Sequence, residues 1–189
     1  GARLRDPAAG ADHPYQGGVR LARQHLDQGA SRWHRRFKKN GPQSIGRSRG
    51  GLTTKIHMVA GDGRTALCFS LSPGQDGDAP RGRELLGYWE NRPGSLKNII
   101  MDKAYEGDET RQLILDLELT PVVPPKANRL NKWEYDVEIY KKRNEVERLF
   151  RRLKGFRRIF SRFEKLDQMF VAFLYVALIF NALNYLNTP

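Results

Sequence analysis

Polar and apolar positions alternate along LTTKIHMVA, residues 52–60, with Ile56 and Met58 on one face and Lys55 and His57 on the other. That period of two predicts a strand. GDGR, residues 61–64, is a hairpin signal, and TALCFSL follows as a second strand. Asp62 therefore reads as a turn residue rather than a ligand. SPGQDGDAP reads as a loop and RGRELLGYWEN as a short helix. KNIIMD, residues 97–102, is an apolar run short enough for a buried strand, and it ends on Asp102. ETRQLILDLEL, residues 109–119, is amphipathic at helical period, with Leu113, Ile114 and Leu117 toward the core; TPVVPP is a short strand closed by prolines. The order β-β-β-α-β-α describes a mixed sheet with helices, without an internal repeat.

The most informative pattern lies further on, in YKKRNEVERLFRRLK. Tyr140, Arg143, Glu147 and Lys154 sit at offsets zero, three, seven and fourteen. On an α-helix they share a stripe about 60° wide. Val146, Leu149, Phe150 and Leu153 form an adjoining apolar arc, and Lys141, Arg148 and Arg152 lie on the far side. One helix thus carries a core face, a basic face and, between them, a carboxylate flanked by cations. A plain surface helix with an Arg143–Glu147 pair at i, i+4 fits the same spacing. The pattern then breaks near Gly155, and FRRIFSRFEKL continues it as a basic amphipathic segment. Met169–Leu186 is apolar almost all round and reads as a buried core helix rather than a membrane span, since Asn181 and Asn184 interrupt it.

Asp102 also has two readings. A carboxylate at the C-terminal end of a central strand is where α/β folds place their chemistry, but a turn or cap acid for AYEGDET fits equally. Residues 125–136, PKANRLNKWEYD, form a polar loop whose Lys126, Arg129, Lys132 and Trp133 suit a DNA backbone or an unstacked base. Residues 37–51 are basic and glycine-rich, carrying Lys38, Lys39, Arg47 and Arg49, and read as a linker or a phosphate-contacting arm. Residues 1–36 lack any sustained hydrophobic period and read as irregular or disordered, with a basic, irregular helix over 19–36.

Charge sharpens this picture. The 189-residue chain has 33 Lys and Arg against 21 Asp and Glu, a formal charge of +12, which favours a polyanionic partner such as nucleic acid. Cys68 is the sole cysteine, so neither a disulfide framework nor a thiolate zinc site is available. His13, His25, His34 and His57 lack metal-ligand spacing. With no secretory pattern in view, the expected setting is cytoplasmic and nucleoid-associated.

Several ordered blocks together resemble the catalytic part of bacterial insertion-sequence transposases of the DDE class. GRSRGGLTTKIHMVA, LSPGQ, MDKAY, PVVPPKANR and YKKRNEVERLFRRLKGFRRIFSRFEKLD stand in that family's order over about four-fifths of the chain. Tyr140, Arg143, Glu147 and Lys154 match its Tyr-x2-Arg-x3-Glu-x6-Lys signature. The resemblance implies a catalytic domain over 37–189 and an α/β fold, a ribonuclease-H-like mixed sheet flanked by helices. It implies three carboxylates holding two Mg2+ ions, because strand cleavage and transfer need one metal to activate the attacking oxygen and another to stabilise the leaving one. Asp102 and Glu147 would be two of these acids. Arg143 and Lys154 would hold phosphates or orient the glutamate, Tyr140 would contact the strand, and Arg148 and Arg152 would add DNA contacts. Double-stranded transposon ends and target DNA, and a second copy of the chain, are the implied partners.

The first acid is missing from its place. The family carries a block like DSTSVKVHPDGTGA on its first strand, immediately before KKNGPQ; this chain has RQHLDQGASRWHRR, in which Asp27 is the only carboxylate and stands at the wrong spacing. The first strand is therefore expected to be missing or degraded. Permitted codons for Arg23–Arg36, read one nucleotide later, give D-N-T-S-T-R-A-H-P-G-G-T-G and then Ala, close to the absent block. That makes 1–36 a candidate out-of-frame segment. Three functions follow: a DDE transposase domain impaired by the missing acid, a DNA-binding fragment without chemistry that inhibits the full enzyme or is its remnant, and a metal-dependent nuclease of the same fold.

Overall fold

The protein is described here by a computed structural model covering residues 19–28, 41–89 and 94–186. Its elements in chain order are β1 (Val19–Gln28), β2 (Gly46–Ser48), β3 (Gly51–Ala60), β4 (Ala66–Pro73), α1 (Asp78–Tyr88), β5 (Asn98–Met101), a single 3-10 turn (Lys103–Tyr105), α2 (Asp108–Asp116) and β6 (Thr120–Val122). There follow α3 (Val137–Lys141), α4 (Asn144–Lys154), α5 (Arg157–Phe160), β7 (Ser161–Arg162) and α6 (Asp167–Leu186). The strands form one mixed sheet in the order β2-β3-β1-β5-β6, with β4 also pairing β3 and β7 also pairing β1. The β1–β3, β2–β3 and β3–β4 pairs are antiparallel; β1–β5, β1–β7 and β5–β6 are parallel.

The two expected strands on either side of the GDGR turn, the buried strand ending before Asp102 and the proline-closed strand are all present. Asp62 is a turn residue as expected: its Oδ1 accepts from the backbone N–H of Arg64 at 2.6 Å and of Thr65 at 2.8 Å.

The front of the chain corrects the sequence reading. Val19–Gln28, expected as irregular helix before a sheet lacking its first strand, is itself the strand between β3 and β5. Leu21 packs into the core on one face, while Ala22 and Leu26 pack on the other. The interspersed cations hid this pattern because their charges are met inside the protein rather than by water. Arg20, only 5 % exposed, donates from Nε to the Lys142 carbonyl at 3.1 Å and from its guanidinium to the Gly61 carbonyl. Arg23 pairs with Asp78 at 2.9 Å.

Both faces of the sheet are covered, which is why β5 can be continuously apolar. On one face α1 and α2 close a core of Leu21, Val59, Leu85, Ile99, Met101 and Ile114 among others. On the other, α4, α5 and α6 cover Ala22, Leu26, Ile56 and Met58 with Val146, Leu149, Phe150, Leu153, Ile159 and Phe170. The predicted apolar arc of the signature helix is thus its buried face. The helix is not continuous, however. Arg143 and Val146 donate their N–H groups to carbonyls three residues back, a tightened junction between α3 and α4.

One buried cation ties this second layer together. Arg162, with no exposed surface, donates to the Glu164 carbonyl at 2.9 Å, Thr54 Oγ1 at 2.8 Å, the Lys165 carbonyl at 3.0 Å and Asp167 Oδ1 at 2.7 Å. It thereby joins β7, β3 and the start of α6. Arg162→Ala leaves several buried acceptors without a donor and is expected to lower stability by about 3–5 kcal/mol, read as a shift in the urea midpoint.

Candidate active site

β5 delivers Asp102 to the edge of this second layer. Its backbone N–H donates to the Leu21 carbonyl at 3.3 Å, holding it flush against β1, and its carbonyl accepts from the Tyr105 N–H at 2.9 Å. Asp102 stands at the N-cap of the 3-10 turn, yet its side chain makes no capping hydrogen bond. The capping reading would have engaged that carboxylate; instead it remains available.

The turn behind Asp102 is pinned from the opposite face. The Tyr105 hydroxyl lies 2.9 Å from His57 Nδ1, and His57 Nε2 lies 2.7 Å from Ser72 Oγ. Gly82 of α1 leaves the notch for the tyrosine ring, since a Cβ there would come within 2.5 Å of it. Sequence reading missed this brace: His57 reads as an ordinary polar position on an alternating strand.

Tyr140 is half-buried at the end of α3, just before the signature helix. Burial, and then the Asp102 carboxylate, raise its pKa, while the charge and hydrogen bond of Arg143 lower it. The Arg143 guanidinium lies 5.9 Å from the Tyr140 ring centroid and pairs with Glu147 at 2.6 Å. Glu147 is half-exposed in the first turn of α4, where the helix dipole favours a carboxylate. Tyr140, Arg143 and Glu147 thus form one chain of contacts, and the Asp102 charge bears on its Tyr140 end. Lys154 is exposed at the other end of α4, about 10 Å further along the axis.

β1 runs directly alongside the strand that carries Asp102. Pairing of Val19 with Ile99, Arg20 with Ile100 and Leu21 with Met101 brings Ala22 next to Asp102 on the face that α4 covers. That position presents a methyl group, 4 % exposed. Asp27, the strand's one acid, stands five residues further on, roughly 16 Å away.

The other expected contacts fall into two groups. Arg47 and Arg49 are exposed on the β2–β3 hairpin, and Lys132 is exposed in the loop before α3. By contrast, Lys126 pairs at 3.2 Å with Glu106, a carboxylate only 1 % exposed that also accepts from Arg129; Arg129 pairs further with Asp108 at 2.8 Å. Trp133 donates to the Val123 carbonyl at 2.8 Å and is flanked by Arg111 at 3.8 Å and Arg129 at 4.7 Å. Those three side chains brace the loop, around an anchor, Glu106, that the sequence did not single out. Arg148 pairs with Glu145 at 2.6 Å, and Arg152 donates to the Gly63 carbonyl. Lys38 and Lys39 lie outside the described residues.

The family model for the transposase DDE domain matches residues 19–182. The chain belongs to the transposase DDE domain family. It is also 32 % identical over 127 residues to a Brucella ovis protein named as a candidate transposase of insertion sequence element IS6501; the alignment covers 67 % of this chain and 95 % of that protein. The match begins where β1 begins, and Asp102 and Glu147 both fall within it.

DDE transposases are metal-dependent enzymes that cleave and transfer DNA strands. Divalent-cation catalysis of that kind calls for several carboxylates around one point. Among the described residues no group of three or more His, Cys, Asp or Glu side chains could hold a metal ion. Glu147 is paired with Arg143, and Ala22 supplies no oxygen. The described residues do not fit the metal pair.

The brace behind Asp102 should titrate. Burial lowers the pKa of His57 from its usual 6.5 to about 4, outweighing the opposing charge of Asp78; Lys55, Arg23 and Arg81 add to the lowering. The fold favours the neutral ring, so this contribution is complete above pH 6.5 and is lost as pH falls toward 4. Stability is expected to drop by roughly 3 kcal/mol across that window from this residue, less in His57→Gln, as read by urea denaturation at stepped pH.

Proposed function

We propose that this chain is a transposase domain that retains its hold on DNA but has lost most of its own strand-cleaving power. The observation that carries this reading is the methyl of Ala22 beside Asp102, where a first-strand carboxylate would complete the acid cluster. With two acids instead of three, affinity for the two Mg2+ ions of a complete family site falls, and cleavage and strand transfer of insertion-sequence ends fall with it. DNA binding rests on other residues. Lys154, Arg47, Arg49 and Lys132 are exposed, and Arg143 sits beside the signature tyrosine, so the phosphate-facing equipment does not depend on the missing acid. The partner is double-stranded DNA of element ends and target, met in the cytoplasm at the nucleoid.

The same reading accounts for the unusual content of β1. We take residues up to about 36 as translated out of frame, with the first acid encoded beneath Arg23. Arg23 faces α1 in the present register. A frame-restored strand would have to sit one residue over, since a one-residue slip exchanges the faces. The nucleotide sequence beneath Arg23–Arg36 tests this: codons that cannot encode a D-x-T-S block one nucleotide later end the idea.

The purified chain is expected to bind duplex DNA with steep salt dependence and to show no Mg2+-dependent nicking of terminal repeats. Robust nicking that Asp102→Ala abolishes would overturn the proposal. Ala22→Asp is expected to gain Mn2+ binding by calorimetry where the parent shows none. Lys154→Ala should leave stability unchanged and reduce the slope of log affinity against log salt by about one.

A further inference from the structure

The helix α6 has two sides of different character. Phe170, Leu174 and Ala177 are between 0 % and 2 % exposed against the sheet, and Asn181 Nδ2 donates to the Arg64 carbonyl at 2.7 Å. Its window Asp167–Asn184 is apolar and long enough to cross a membrane, but these contacts commit one side to the domain. The opposite side carries Met169, Val176, Ile179 and Leu183, all between 50 % and 63 % exposed, and the exposed Ala172. These five are spaced 3, 4, 3 and 4 residues apart. They occupy a stripe about 80° wide, turned away from the buried one. A sustained 3-4 spacing is the seam of knobs-into-holes packing between helices. Tyr175 and Phe180, also more than half exposed, form its shoulders.

We propose that this seam joins two copies of the chain, α6 against α6, antiparallel about a two-fold axis through Val176. Charge is the first argument. After Asp167 the helix has no Asp, Glu, Lys or Arg through Leu186, in a chain of net charge +12. DNA would find no cation there, whereas a second copy finds no repulsion at the seam itself. Size is the second. Antiparallel pairing about Val176 sets Ala172 against Ile179 and Met169 against Leu183, small facing large; parallel pairing would set Ala172 against itself and leave a gap. Area is the third. The exposed parts of the seam and its shoulders amount to roughly 600 Å² per copy, close to the ~800 Å² a standard interface buries on each partner. An isologous two-fold contact closes on itself and stops at a dimer. None of these arguments depends on the catalytic reading.

Sedimentation equilibrium tests the proposal, with cysteine pairing in a Cys68→Ser background to read the geometry. The parent chain is expected to be a dimer. The double variant V176E/I179E, altered at two exposed positions, is expected to be a monomer with an unchanged circular-dichroism melting curve. Val176→Cys should form an intermolecular disulfide; Met169→Cys alone should not, while Met169→Cys combined with Leu183→Cys should. A parent monomeric at every concentration, a dimer that survives V176E/I179E, or a monomer that floats with neutral phosphatidylcholine vesicles would each overturn it.

Discussion

The docking of α4 onto the sheet is the contact on which the rest of this protein depends. Val146, Leu149, Phe150 and Leu153 fix the rotation of the helix about its axis, because each must face Ala22, Leu26, Ile56 and Met58. At that rotation Glu147 and Arg143 fall at the partly exposed rim, paired with each other. The alternation of β1, β3 and β5 fixes the other half of the geometry. Removing the apolar arc would therefore displace the site as well as weaken the core.

This basic chain buries a few of its cations, and it does so by giving them specific acceptors. Arg20 reaches two backbone carbonyls, Lys55 and Arg23 share Asp78, and Arg162 takes two carbonyls, a threonine and an aspartate. Isolated, each charge would cost several kcal/mol to desolvate; with charged or polar partners at hydrogen-bond distance the cost is largely offset. These contacts also act as registers. Arg20 links β1 to the junction before α4, and Arg162 links β7 and β3 to α6.

Elements with one strong period were legible in the sequence, and elements stabilised by polar contacts across the chain were not. β3 shows period two, and α4 shows its arc; both arise from local alternation. β1 was illegible because Arg20 and Arg23 look solvent-facing until Gly61, Lys142 and Asp78 are brought to them from far along the chain. The PKANR loop was misleading for the same reason. Its cations suit phosphate by composition, but Glu106, at 1 % exposure, engages Lys126 and Arg129. At the site, spacing alone placed Tyr140, Arg143 and Glu147 on one stripe. It did not supply the placement of Asp102, which comes from the parallel pairing of β1 with β5.

That pairing also decides the electrostatic character of the site. A metal site of this kind concentrates negative charge at one point, so that dications and the phosphate they bring are held together. Here the β1 contribution is neutral, Glu147 is paired with Arg143, and Arg20 lies buried nearby, its pKa lowered by desolvation. The remaining balance around Tyr140 is close to neutral on the acid side, with Lys154 exposed beyond it on the same helix. Such a surface attracts a polyanion more readily than a divalent cation.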